Sequence, residues 1–140
     1  MGREPNKEFS MTMPNPRLLT EIRGLIETAR QQVVRAVNSS MVQTYWHIGR
    51  LIIEDEQQGE ARAAYGKQQL QRLSQELTKE FGKGFDVTNL RNMRRFYEAF
   101  PNRETVSPEL SWSHYNHLSR IENPEARAWY QQEAIQEGWS

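Results

Sequence analysis

The side chains in this sequence best suited to chemistry are gathered in FDVTNLRNMRRFYEAF, residues 85–100, where three arginines alternate with small polar residues. A guanidinium stays charged at every physiological pH and offers a planar fork of donors that fits phosphate oxygens or the major-groove edge of guanine. An asparagine amide presents a donor beside an acceptor, which matches the edge of adenine. At about 100° per residue, Leu90, Met93, Phe96, Tyr97 and Phe100 share one arc of a helix, and Arg91, Arg94, Arg95 and Glu98 stand opposite. Thr88, Asn89 and Asn92 fall in the first turns, where a recognition helix meets bases. An arginine-rich helix face is often merely solvated, so the reading depends on what holds this helix.

The preceding segment supplies that support. Leu70, Leu73, Leu77 and Phe81 recur at helical steps and predict a helix with one apolar stripe. Gly82 and Gly84 bracket Lys83 and predict a sharp reversal, because glycine tolerates the left-handed backbone that closes a helix. Asp86 is placed to cap the next helix, and Phe85 to staple onto Leu90; Asn89 does not complete a capping box. Helix, glycine turn and helix, from residue 69 to Phe100, have the outline of a helix-turn-helix. The expected phosphate-holding set is Arg91, Arg94 and Arg95 helped by Lys83 and Arg72, with Thr88, Asn89 and Asn92 reading bases or positioning the turn.

Other chemistries are poorly supported. His114 and His117 are three apart and His47 is a third imidazole, yet no carboxylate pattern accompanies them, and histidines partly buried beside Trp112 and Trp46 are the plainer reading. Glu54, Asp55 and Glu56 are consecutive and therefore diverge on a helix. Gly66-Lys67 lacks the earlier glycine and the hydroxyl of a phosphate-binding loop, since Ala61 and Gln68 stand there. No serine lies in a nucleophile elbow. The sequence predicts no catalytic residue, no metal site, no cofactor and no small-molecule substrate.

The chain has 140 residues, enough for one domain with a modest core. It has no cysteine, which excludes disulfides and thiolate chemistry and suits a reducing cytoplasm. No apolar run approaches the roughly 18 residues of a membrane span, so the expectation is a soluble, cytoplasmic protein. Net charge is zero, but it is unevenly spread: residues 62–103 hold nine Lys or Arg against four Asp or Glu, whereas 104–140 hold two against six. The basic charge thus sits on the helix-turn-helix segment, and local charge decides phosphate contact because screening acts over roughly 8 Å.

Residues 1–14 are polar and without periodicity, and read as a disordered leader or an expression remnant, with one helical domain over 15–140. Asn15-Pro16 opens a helix whose apolar stripe, from Leu18 to Val37, is broad enough for a core. Asn38, Ser39 and Ser40 are a possible break, a continuous helix being the alternative. Apolar residues between Met41 and Ile53 occupy two neighbouring faces, which predicts packing on both sides or a homodimer seam, and Gly49 marks a close helix crossing. After the polar loop at 102–108, Trp112, Tyr115, Leu118 and Ile121 predict a short helix. Asn123-Pro124 opens a last one that buries Ala126, Trp129, Tyr130 and Ala134 and ends at Gly138. Ser140 has the character of an N-cap for a further helix, which predicts a fragment of a longer protein. The fold class is all-α, a multi-helix bundle containing a helix-turn-helix.

Several segments go beyond generic helical pattern. YWHIGRLI at 45–52, YGKQQLQRLSQELTKEFGKGFDVTNLRNMRRFYEAF at 65–100, LSWSHYNHL at 110–118 and EARAWYQQEAIQEGWS at 125–140 closely resemble the N-terminal domain of the YhcG family. In these bacterial proteins such a domain precedes a C-terminal nuclease-like domain of the PD-(D/E)xK class. The resemblance implies a DNA-binding, helix-turn-helix-like module that brings the nuclease to its target. No residue here matches the nuclease half, so the resemblance assigns no catalytic residue. The leading expectation is a module that binds double-stranded DNA and acts as a homodimer. A docking module without nucleic-acid contact, and an RNA binder using the same basic face, are the alternatives.

Overall fold

The computed structural model describes residues 15–58 and 63–138, and the regular structure among them is entirely helical. Helix α1 spans Pro16–Gln58, α2 Ala63–Phe81, α3 Val87–Ala99, α4 Trp112–Leu118 and α5 Pro124–Glu137, with a 3-10 turn at Arg103–Thr105. The leader at 1–14, the helix stop expected at Gly59 and the terminal Ser140 lie outside the described residues. None of the described helices is long and apolar enough to cross a membrane.

Helix α1 opens as its sequence predicts: the Asn15 side chain accepts from the Arg17 amide at 2.9 Å, and its carbonyl accepts from the Leu19 amide at 2.9 Å. It then runs unbroken for 43 residues. Ser39 and Ser40 start no new helix; the Thr44 hydroxyl donates back to the Ser40 carbonyl at 2.9 Å, a local bond that a helix accommodates.

The chain divides into two compact units, residues 1–36 and 37–140. In the first, α1 is the only described element, and its stripe stays in water: Leu25 is 73% exposed and Val33 62%. The core expected there does not form among the described residues of this unit, where no second element covers the helix.

The second unit holds the core. Val42, Trp46, Phe96, Phe100, Tyr115 and Leu118 form its centre, and Tyr45, Ile52, Leu90 and Met93 a smaller cluster against α2. Gly49 makes the close crossing: a Cβ built there would lie 2.1 Å from the Met93 carbonyl oxygen, so only a hydrogen lets α1 and α3 meet. Val42, Tyr45, Trp46, Gly49 and Ile52 are all buried in this way, which removes most of the 41–53 surface as a seam between copies. The indole of Trp46 donates to the Phe100 carbonyl at 2.7 Å, satisfying an acceptor freed at the end of α3.

Three local expectations need correction. Among the described side chains of α2 the buried one is Ser74, whose hydroxyl donates to the Phe85 carbonyl at 2.7 Å across the turn; Leu70 and Leu77 flank it, while Phe81, at the very end of the helix, is 64% exposed. The loop after Pro101 is not merely polar, since Val106 and Leu110 enter the core. On α5, Trp129 and Tyr130 are exposed, and the buried face is Gln131 and Ala134. Gln131 earns its place through its amide, which donates to the Thr105 carbonyl at 2.7 Å and to the Tyr115 hydroxyl at 3.1 Å.

Candidate nucleic-acid interface

Helix α3 is placed by its apolar side. Leu90, Met93 and Phe96 are fully buried, so the opposite face is turned outward. The reversal before it uses left-handed glycines, Gly82 at φ 87° and Gly84 at φ 106°. Asp86 occupies the cap position, but its side chain makes no capping bond. Asn89 stabilises the turn instead: its amide nitrogen donates to the Gly84 carbonyl at 2.6 Å, and its oxygen accepts from the Trp112 indole at 3.3 Å. Both ends of that amide are therefore engaged within the fold.

The outward face opens onto a cleft of about 740 Å³. Thr88, Arg91, Asn92 and Arg95 line it from α3, facing Arg120 and Arg127 from the α4–α5 side, with Glu98 and Glu122 as its carboxylates. Among the described residues Arg91, Arg95 and Arg120 have no ion pair, and all three are exposed. Asn92 is buried, and its oxygen lies 3.4 Å from an Arg95 nitrogen, steadying that guanidinium. Arg127 is held more firmly. It donates to the Ile121 carbonyl at 2.9 and 2.5 Å and to the Ala99 carbonyl at 3.2 Å, and lies 5.9 Å from the centre of the Phe100 ring.

Arg94 behaves differently from its neighbours. It bonds Glu56 through Nε at 2.9 and 2.8 Å and through Nη2 at 2.7 Å, and Glu98 through Nη1 at 3.1 Å. Hydrogen bonding to Glu56 is the main reason its pKa is raised above the usual arginine range. This guanidinium ties α3 to α1. Lys83 and Arg72 are exposed, on the glycine turn and α2, and neither lines the cleft.

Four of the eight expected site residues, Thr88, Arg91, Asn92 and Arg95, thus meet in one place. Arg120 and Arg127 were missed by sequence reasoning because they sit in the acidic last third of the chain, and nothing in their spacing shows that they face α3. The histidines form no cluster: among the described residues no three His, Asp or Glu converge as metal ligands. His114 caps α4 instead, its Nδ1 accepting from the Ser111 amide at 3.1 Å, and His117 is exposed. His47 lies 4.9 Å from the Trp46 ring, and burial together with Arg103 and Arg50 pushes its pKa down.

Fold and site together define an all-helical module with a cationic cleft. The chain belongs to the DUF1016 N-terminal domain family, whose model matches residues 21–140, the YhcG-type domain that its segments resemble. A protein of Escherichia coli (strain K12), described as "Putative nuclease YhcG", is 38% identical over 148 aligned residues covering 83% of this chain. The chain spans 40% of the length of that relative. No solved structure matches it.

Proposed function

We propose that this domain binds double-stranded DNA, and that in the full-length protein it brings a nuclease-like domain to its target. The observation that carries the reading is the cleft wall of Arg91, Arg95 and Arg120, cationic and without ion pairs among the described residues. Helix α2, the glycine turn and α3 serve as the helix-turn-helix. Thr88, at the exposed start of α3, is the side chain best placed to meet a base edge, whereas Arg94 and Asn89 act by fixing α3. Lys83 and Arg72 add phosphate contacts outside the cleft. No catalytic step is assigned to any residue of this chain.

Phosphate contact has a measurable signature. Each neutralised phosphate contributes about −0.9 to the slope of log affinity against log salt. In an anisotropy titration of duplex DNA at several salt concentrations, Arg91→Ala with Arg95→Ala reduces the steepness by about 2 and weakens binding at low salt. Unchanged affinity and slope exclude this face. Competition with duplex RNA separates a DNA reader from an RNA binder sharing the same cations. A second reading, a docking module, is favoured by one observation, the uncovered stripe of α1.

A further inference from the structure

The first unit carries an apolar surface that the DNA reading does not use. Leu18 is 53% exposed, Ile22 43%, Leu25 73%, Ile26 48% and Val33 62%, and Ala29 lies exposed among them. Leu19, Ile22, Ile26, Ala29, Val33 and Ala36 recur at steps of three, four, three, four and three, the spacing of a seam between paired helices. No charged residue interrupts that seam. Gly24 falls on the opposite side, with nothing within 4 Å of a Cβ built there.

We propose that this stripe pairs with the same stripe of a second copy of the chain, the two helices running antiparallel. Size and shape both point to that occupant. Fully burying a Val, Leu or Ile side chain corresponds to roughly 60–120 Å² of apolar surface, so Leu18, Leu19, Ile22, Leu25, Ile26 and Val33 together bring about 500 Å² per copy. Two copies together reach about 1,000 Å², the lower bound for a specific interface with good complementarity. A two-fold interface needs only one patch, provided that the patch complements itself. Here it does when the axis passes between Glu27 and Thr28. Ile26 of each copy then faces Ala29 of the other, Ile22 faces Val33 and Leu19 faces Ala36, a large residue meeting a smaller one in each layer. A parallel pair would instead stack Ala29 on Ala29 and Ala36 on Ala36, leaving gaps. Glu27 is four residues after Arg23 and three before Arg30, so it offsets the two arginines that flank the seam.

Sedimentation of the 140-residue chain across a range of concentrations tests the pairing, and it does so independently of any DNA binding. The wild type is expected as a dimer at micromolar concentration, and Ile22→Glu with Ile26→Glu as a monomer. Both substitutions fall on exposed positions, so the circular dichroism melt of the 37–140 unit stays unchanged. A wild type that remains monomeric at several hundred micromolar overturns the proposal, as does a dimer that survives both changes. Orientation is read from single cysteines, which the chain otherwise lacks. A short bismaleimide joins copies through Ile26→Cys but not through Leu19→Cys, whose positions lie about 25 Å apart along antiparallel helices at 1.5 Å per residue. Efficient cross-linking through Leu19→Cys overturns the antiparallel arrangement.

Discussion

The two halves of α1 carry apolar residues at the same helical spacing and meet opposite fates. Between Val42 and Ile52 the stripe is buried against α3 and the segments after it; between Leu18 and Val34 it faces water. Each half also contains a glycine. Gly49 has the Met93 carbonyl where a methyl group would stand, and Gly24 has open space. Periodicity therefore reports which side of a helix is fit for packing, and only the neighbours decide whether packing occurs.

Identical substitutions in the two halves break or sharpen this contrast. Gly49→Ala forces the α1 and α3 backbones apart and is expected to cost about 3 kcal/mol, the upper range for overpacking, seen as a large fall in denaturation midpoint. Gly24→Ala is expected to stabilise its half of α1 by up to about 1 kcal/mol through helix propensity, read as slower amide exchange over residues 18–30. Equal effects of the two would deny that the halves differ. Val42→Ala, at a position 1% exposed, should cost about 2 kcal/mol, while Val33→Ala, at 62% exposure, leaves the unfolding of the 37–140 unit unchanged.

Within the buried half's surroundings, Tyr115→Phe removes the hydroxyl that bonds the Ser107 amide at 2.5 Å and the Gln131 amide at 3.1 Å. The expected loss is about 1–2 kcal/mol in urea titration. Burial raises the pKa of this phenol, so the loss is the same at neutral and mildly alkaline pH. The smallest effect concerns His47, whose pKa is lowered by burial first and then by Arg103 and Arg50. The unfolded chain takes up a proton before the folded one does. The contribution of this group to stability is thus complete above pH 6.5, the unfolded value, and is lost as pH falls below it. His47→Gln is expected to flatten that decline in thermal melts between about pH 5 and 7, and an unchanged profile would assign the decline to other groups.

Much of the fold was legible because local chemistry and tertiary packing agree in it. Asn15-Pro16, Asn123-Pro124, Gly82, Gly84 and Gly138 mark boundaries through backbone geometry alone, and Gly49 announced a crossing because a glycine within a helix requires a reason. The arc of Leu90, Met93 and Phe96 was equally plain. What escaped depended on residues distant in sequence. Ser74 and Gln131 are buried polar groups whose partners, Phe85 and Thr105 with Tyr115, come from other segments. Arg94 and Arg91 look alike on a helical wheel, and only the position of Glu56 on α1 separates a tethering cation from a solvent-facing one. Asn89 has the chemistry of a base reader, but Gly84 and Trp112 take up its amide. Arg120 and Arg127 join the cleft through the α4–α5 connection, which no pairwise spacing in the sequence foretells.

Arg127 gives the cleft an asymmetry between its floor and its rim. Its guanidinium is fastened to the carbonyls of Ile121 and Ala99, so its charge keeps a fixed address, whereas Arg91, Arg95 and Arg120 are exposed and Arg95 is held only by a 3.4 Å contact to Asn92. On the proposed reading, an incoming anion would meet one charge already ordered by the fold and three exposed ones whose ordering would cost free energy on contact. Anchoring a rim arginine in the same manner would tighten the grip on a polyanion without adding a single charge.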